Sequence, residues 1–280
     1  MRLTATQIKK YKDNGFLLIR NVFDLGEIKA LLKEMAILYN KDSPRRILER
    51  NGQVRSLFAP EIDSHLFAKT IKLERLVIPS MQLLNNKVYV HQTKINSKFA
   101  MEGEWWEWHR DYTFWKKDDG MPLPHITTAM IFLSDINEFN GPLFLIPGSH
   151  KAKIIEDEKN EDIANENDSF NKYKKSTEYM TALTVDLKYT LKKTTIKKWA
   201  KRNGIISAKG NCGSVLFFHG DVFHASANNI SPWDRHTFLI SYNSIDNILP
   251  DIPNPRPEFI ANRNFTELIP IPESKSRKHI

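Results

Sequence analysis

Residues 106–115 read Trp-Glu-Trp-His-Arg-Asp-Tyr-Thr-Phe-Trp, which sets His109 and Asp111 two positions apart inside an aromatic run. Read as a β-strand, alternation turns both side chains to one face. An imidazole beside a carboxylate supplies two ligands of the 2-His-1-carboxylate face, which leaves open positions on a divalent metal and marks non-haem Fe(II) oxygenases. The third ligand must come from elsewhere, and His224 is the candidate. His219 adjoins the apolar pair Phe217-Phe218 and lies further from Arg235, so His224 is preferred. Arg235 follows His224 by eleven residues and leads into an apolar strand. A guanidinium there suits a buried carboxylate ligand, because it bonds in two prongs and stays charged when desolvated. In a chain with nine histidines the pattern also arises by coincidence, and the two readings stand level on residues alone. His91, His125, His150, His219 and His236 read as structural hydrogen-bond donors.

These residues need elements to bring them together. Thr4–Asp13 patterns as a short helix ended by Gly15, and Phe16–Ile19 as a buried strand. Asp24 with Glu27 forms a capping-box signature, followed by an apolar stripe of Ile28, Leu31, Leu32, Met35 and Leu38. Residues 41–60 are polar and turn-rich, and residues 62–84 read as mostly helical with an interruption near Pro79. Strands are expected over 87–96, 106–115, 126–133, 143–146, 214–218 and 237–242, with turns at Asp119-Gly120, Asn140-Gly141-Pro142 and Pro147-Gly148. Short strands with helices gathered at the N-terminus predict a mainly β fold with supporting helices, a double-stranded β-helix or jelly roll of cupin type. We read residues 1–280 as one domain. Residues 1–85 are helical support, and residues 86–150 and 207–249 form the jelly-roll core. Residues 151–206 are an insertion that reads as a lid, and 250–280 a surface tail.

Bulk properties narrow the class. One cysteine, Cys212, excludes an intrachain disulfide, which fits a reducing compartment. The N-terminus lacks the apolar core of a signal peptide and no apolar run is long enough to span a bilayer, so a cytoplasmic protein without a membrane partner is expected. The net charge of +8 is concentrated in 188–201 and in the Lys275–Lys278 tail. No aromatics alternate with those lysines as base-stacking platforms, so a solvated basic face is expected rather than a nucleic-acid surface.

The stretch Trp108–Pro122, with its Trp-His-Arg-Asp-Tyr-Thr-Phe-Trp core, resembles the iron-binding signature of ectoine hydroxylases. Asn140-Gly141-Pro142-Leu143-Phe144-Leu145-Ile146-Pro147-Gly148-Ser149-His150 is similar to the second block of the same group. The group belongs to the phytanoyl-CoA dioxygenase-like superfamily of Fe(II)/2-oxoglutarate oxygenases. Phe16–Phe23, Val88–Asn96, His224 through Arg235, and Pro255–Phe259 also fit, so the resemblance spans most of the chain outside 151–206. It implies His109, Asp111 and His224 as iron ligands. It implies Arg235 on the distal carboxylate of 2-oxoglutarate, helped by the Thr128 hydroxyl. Gln92 and Asn96, on one strand face, match residues that meet cosubstrate or substrate. Trp115 and Phe218 match walls of the substrate pocket, and equally fit plain core packing.

The departures fall on the substrate side. Lys94 stands where these enzymes carry arginine, Arg110 replaces a small polar residue, and Leu239 stands where an aromatic wall is expected. Arg110 lies between two inward residues and so turns outward, leaving Lys94 as the side chain for a substrate carboxylate. Asp111 argues against halogenation, since related halogenases carry a small residue there. The resemblance implies C–H hydroxylation of a free amino acid or small derivative by Fe(II), 2-oxoglutarate and O₂, releasing succinate and CO₂, in a monomer or homodimer. An ectoine hydroxylase proper, a metal-binding jelly roll without turnover, and a nucleic-acid demethylase of the same chemistry remain open.

Overall fold

A computed structural model describes residues 1–152, 163–164 and 187–273. Most of the stretch read as a lid, and the Lys275–Lys278 tail, lie outside the described residues. Two helices open the chain. Helix α1 (Ala5–Asn14) starts at a Thr4 capping box and stops at Gly15, whose φ of 83° lies where glycine is favoured. Strand β1 (Phe16–Ile19) follows. The capping box at Asp24 holds α2 (Leu25–Tyr39): Asp24 Oδ1 accepts from the Glu27 N–H at 2.9 Å and Glu27 Oε2 from the Asp24 N–H at 3.0 Å. The turn-rich segment contributes two strands not expected from its composition, β2 (Arg46–Leu48) and β3 (Val54–Phe58). They pair through the Asn51-Gly52 turn and extend the main sheet. The helical stretch breaks between α3 (His65–Thr70) and α4 (Glu74–Leu84), earlier than expected, and α4 runs through Pro79. Pro79 sits in the middle of α4 and removes one backbone bond there, a cost that the buried packing of this helix overrides.

The long strand β4 (Val88–Lys98) leads to β5 (Trp106–His109). The aromatic run does not continue as a strand: Asp111 is the first residue of a helix, α5 (Asp111–Asp119), ended by Gly120 at φ 76°. An acid suits that position because helix N-termini carry partial positive charge. Strands β6 (Ile126–Phe132), β7 (Leu143–Leu145), β8 (Ile163–Ala164) and β9 (Thr190–Leu191) precede α6 (Lys193–Asn203). Strands β10 (Ile206–Ala208), β11 (Val215–His219), β12 (His224–Ser226) and β13 (Arg235–Ser244) follow.

Seven strands form one sheet in the order β1-β11-β6-β13-β4-β3-β2, and four form a second, β10-β7-β12-β5. Strand alternation sorts the core. Ala129, Ile131, Val215, Phe217, Phe238 and Ile240 face the helices α1 to α4, packing with Leu31, Phe67 and Leu76. Their neighbours Met130, Phe132, Leu216, Phe218 and Leu239 face the small sheet and pack with Leu143 and Leu145. The two-sheet jelly roll with helical support is therefore the observed architecture. The helical N-terminal part nonetheless gives three strands to the large sheet. The C-terminal stretch is more than a surface tail. Ile260 and Ala261 are fully buried, and the Asn262 N–H donates to the His91 carbonyl at 2.9 Å. Gln92 Nε2 donates to the Ile260 carbonyl at 2.7 Å. This segment covers backbone of β4 that β3 is too short to reach.

Candidate active site

The two sheets meet at a three-residue face. His109 ends β5, Asp111 opens α5, and His224 opens β12, whose register sets His224 directly opposite His109. Ligand atoms of the three lie within 4.8 Å of one another. His109 Nε2 is 3.6 Å and His224 Nε2 3.7 Å from Asp111 Oδ1. Each imidazole is oriented from behind: Nδ1 of His109 bonds the Glu107 carbonyl at 2.6 Å, and Nδ1 of His224 the Val222 carbonyl at 2.9 Å. A carbonyl only accepts, so each Nδ1 carries the hydrogen and each Nε2 lone pair is left for a metal. Burial would raise the Asp111 pKa, but His224, His109 and Lys94 outweigh it and hold the carboxyl well below the usual range. His224 is pushed down to about 4, by burial first and by His109 second. At neutral pH the face thus offers an ionised carboxylate and a neutral His224, the form a divalent metal binds.

Arg110, expected to turn outward, does leave the metal face but is buried. Its Nη1 pairs with Asp221 Oδ1 at 2.8 Å. A charge among buried neighbours requires a partner, and Asp221 stands three residues before His224. This bridge ties the two ligand-bearing segments together.

Two cavities open from the face and share Lys94, Trp106, His109 and Asp111. The first contains Arg235, Asn96, Phe218, Leu239, Ser226 and Thr237. Arg235 is 3 % exposed, and its Nε has no hydrogen-bond partner among the described residues. Burial first, and Arg55 second, lower its pKa to about 10. The Ser226 hydroxyl in the same cavity is also buried without a hydrogen-bond partner among the described residues. Buried polar atoms left unpaired are rare in native folds, so this cavity fits a ligand with an anionic end. The Phe218 ring lies 5.4 Å from that of His224, and Asn96 Oδ1 accepts from the Ser56 hydroxyl at 2.7 Å.

Thr128 is placed elsewhere. Its hydroxyl shares a 2.9 Å hydrogen bond with Ser241, its cross-strand neighbour on β13. Ser241 is six residues along from Arg235, about 20 Å at the rise of a strand, so Thr128 cannot reach the same ligand atom. Ser226 and Thr237 are the hydroxyls that line the cavity with Arg235. Each was within reach of sequence reasoning, two positions beyond His224 and Arg235 and therefore on their strand faces.

The second cavity is lined by Gln92, Trp115, Phe58, Phe114 and Arg256. Trp115 packs edge-on to His91 at 5.3 Å between ring centroids. Arg256 had no assigned role in the sequence, since it stands in a proline-rich stretch without periodicity. Trp106, the wall shared by both cavities, is held by the Arg55 guanidinium 3.8 Å from its ring centroid. Arg55 in turn bonds Glu49 at 2.9 and 3.2 Å. Of the histidines set aside, His125 and His150 bond backbone carbonyls and His236 bonds Ser97. His219 instead accepts from the Asp221 N–H, and neither ring nitrogen of His91 has a hydrogen-bond partner among the described residues.

Comparison with known proteins agrees with this geometry. The profile of the phytanoyl-CoA dioxygenase family matches residues 11–237. The chain belongs to that family. It is accordingly a dioxygenase. An ectoine dioxygenase of Bordetella bronchiseptica is 34% identical over 271 residues, covering 93% of this chain and 83% of that one. An L-proline trans-4-hydroxylase of Streptomyces griseoviridis is 31% identical over 263 residues, covering 94% of each. Among solved structures, EctD from S. alaskensis with 2-oxoglutarate and 5-hydroxyectoine superposes with a TM-score of 0.79 at 25% identity. The match covers 96% of this chain and 88% of that chain. No helix among the described residues is long and apolar enough to cross a membrane.

Proposed function

We propose that this protein is an Fe(II)/2-oxoglutarate-dependent hydroxylase of a free amino acid or small amino-acid derivative. The observation that carries the reading is the pairing of the His109–Asp111–His224 face with a buried arginine that has no carboxylate partner among the described residues. Two imidazole nitrogens and one carboxylate are the donor set for iron with positions left open. His109, Asp111 and His224 would hold the metal. Arg235, with Ser226 and Thr237 beside it, would hold the distal carboxylate of 2-oxoglutarate. Iron with this cosubstrate would supply the oxidation, in which 2-oxoglutarate, O₂ and the substrate C–H become succinate, CO₂ and the hydroxylated product, one oxygen atom going to succinate and one to the product.

The chain's own residues do the rest. Lys94 reaches both cavities and Arg256 lines the second, so a substrate carboxylate finds cations there. Trp106, Phe114, Trp115 and Phe58 exclude water around the carbon to be oxidised. The amino-acid class is supported by relatives named for ectoine and L-proline. The reading includes a cytoplasmic protein, monomeric or homodimeric, with no nucleic-acid or membrane partner.

The test is anaerobic titration with Fe(II) and 2-oxoglutarate, then addition of O₂ and an amino-acid panel that includes ectoine and L-proline. Succinate and a product heavier by one oxygen atom are read, with His109→Ala as control. A hydroxylated panel member is the expected result. Iron–cosubstrate absorption with succinate but no hydroxylated product rejects the substrate class. No absorption at all rejects the hydroxylase and leaves a metal-binding jelly roll. Ectoine hydroxylated alone identifies the narrower enzyme.

A further inference from the structure

Arg256 enters the second cavity already tied to a carboxylate. Its Nε donates to Asp119 Oδ1 at 2.7 Å and its Nη2 to Oδ2 at 2.6 Å. This two-pronged bond occupies one edge of a planar guanidinium. Nη1 makes no hydrogen bond to a described residue, and the rigid fork aims it away from Asp119. Asp119 is fully buried, and the cavity is the open space that Arg256 borders. Behind the carboxylate, His91 Nε2 stands 3.6 Å from Oδ2, too far for a hydrogen bond, and its ring rests against Trp115. Asp119 is thus walled in, and among the described residues its one hydrogen-bonded side-chain partner is the arginine.

Asp119 is the last residue of α5, and the metal-face residue Asp111 is the first. Eight steps of helical rise separate them by about 12 Å. The carboxylate that faces the metal and the carboxylate that grips Arg256 therefore ride on one rigid element. We infer that Asp119 is a positioning residue. It clamps one edge of Arg256 so that the other edge meets a substrate carboxylate at a fixed offset from the metal face, with α5 as the spacer. The inference rests on the reading of the protein as a hydroxylase of carboxylate-bearing substrates. Without Asp119 the arginine remains charged but loses its orientation, so substrate is held loosely while cosubstrate, bound in the other cavity, is unaffected.

The test uses full-length protein with Asp119→Asn, which keeps the volume, and Arg256→Lys, which keeps the charge without the fork. The first readout needs no substrate: the ¹⁵N-edited NMR signal of the Arg256 Nε–H, assigned by its loss in Arg256→Lys. In the wild type this proton exchanges slowly with water, and in Asp119→Asn exchange is at least tenfold faster. The second readout is succinate formation with and without ectoine or L-proline. Succinate formed without amino acid, and the KM for 2-oxoglutarate, stay within twofold of wild type in Asp119→Asn. The amino acid concentration that half-stimulates turnover rises at least tenfold, and less product forms per succinate. An unchanged Nε–H exchange rate in Asp119→Asn overturns the inference, and so does faster exchange with an unchanged half-stimulating concentration. If neither amino acid stimulates the wild type, the substrate reading fails and the NMR exchange rate alone decides the positioning role. A global fold defect would instead raise the KM for 2-oxoglutarate as well, which counts against a positioning role.

Discussion

Replacing Arg235 with methionine should move two properties of this protein in opposite directions. Burial has drawn the guanidinium from 12.5 to about 10. At 1.36 kcal/mol per unit, its charged form costs the folded state about 3 kcal/mol. The sign follows from linkage: a cation with a depressed folded pKa carries its full cost at neutral pH, and the cost is relieved only as pH rises through the folded value. Methionine has no charge to desolvate, so the ligand-free variant should gain on the order of 1–3 kcal/mol after allowance for imperfect packing. At roughly 2–4 °C per kcal/mol for chains of this size, Tm rises by several degrees. The same substitution removes the partner of a buried carboxylate, a loss of about 2–5 kcal/mol. At 1.4 kcal/mol per tenfold, binding of 2-oxoglutarate weakens by roughly thirty- to several-thousand-fold. The assay is thermal unfolding under anaerobic Fe(II), with and without 2-oxoglutarate. A higher baseline Tm with no ligand shift is the expected pair. A lower baseline Tm together with an undiminished shift would refute the reasoning, because Arg235 would then be paired within the protein and idle toward the cosubstrate.

His109→Ala should leave the protein without stoichiometric iron after anaerobic loading and dialysis, as read by metal analysis, while its Tm without metal stays within a few degrees of wild type. Lys94→Met should raise the half-stimulating concentration of a carboxylate substrate by about tenfold or more, and Lys94→Arg should recover most of it in the same succinate assay. Asp221→Ala removes a buried carboxylate partner of Arg110 and should lower stability in urea unfolding, with Arg110→Met/Asp221→Leu closer to wild type. His219 is held down to about 3, by burial first and then by His150 and His125. The unfolded chain takes up a proton near 6.5 that the folded one refuses, so stability should fall as pH drops from about 6.5 toward 3. His219→Phe should flatten that fall in Tm measured against pH.

Much of the fold was legible because it rests on local rules. The capping box at Asp24, the stop at Gly15 and the β-branched strand expected over 126–133 each depend on residues close in sequence. Where the reading erred, the deciding contact was remote or the periodicity ambiguous. Residues 111–119 carry aromatics that suit a strand, yet Tyr112, Phe114 and Trp115 find buried surface on several sides at once, so strand alternation was never required of them. Strands β2 and β3 lie in a polar stretch whose buried polar members, Arg55 and Ser56, take hydrogen-bond partners up to 50 residues away. In the site, period-two spacing leads from His224 to Ser226 and from Arg235 to Thr237. It could not lead to Arg256, whose partner Asp119 is 137 residues earlier. Thr128 fails for the same reason in reverse: strand order fixes its neighbours, and strand order is a property of the whole chain.

The late position of Arg256 has a consequence for how the enzyme comes into being. Every residue of the metal face, and Arg235, precedes it in the chain. During synthesis the metal face and Lys94 are therefore made before the arginine that completes the second cavity. A chain that ends early, between Ser244 and Arg256, lacks that arginine together with the buried Ile260 and Ala261, and leaves the fully buried Asp119 without its guanidinium partner. Such a fragment loses part of its core in the same step as its second-cavity cation, so the last stretch of translation bears on folding as well as on substrate grip.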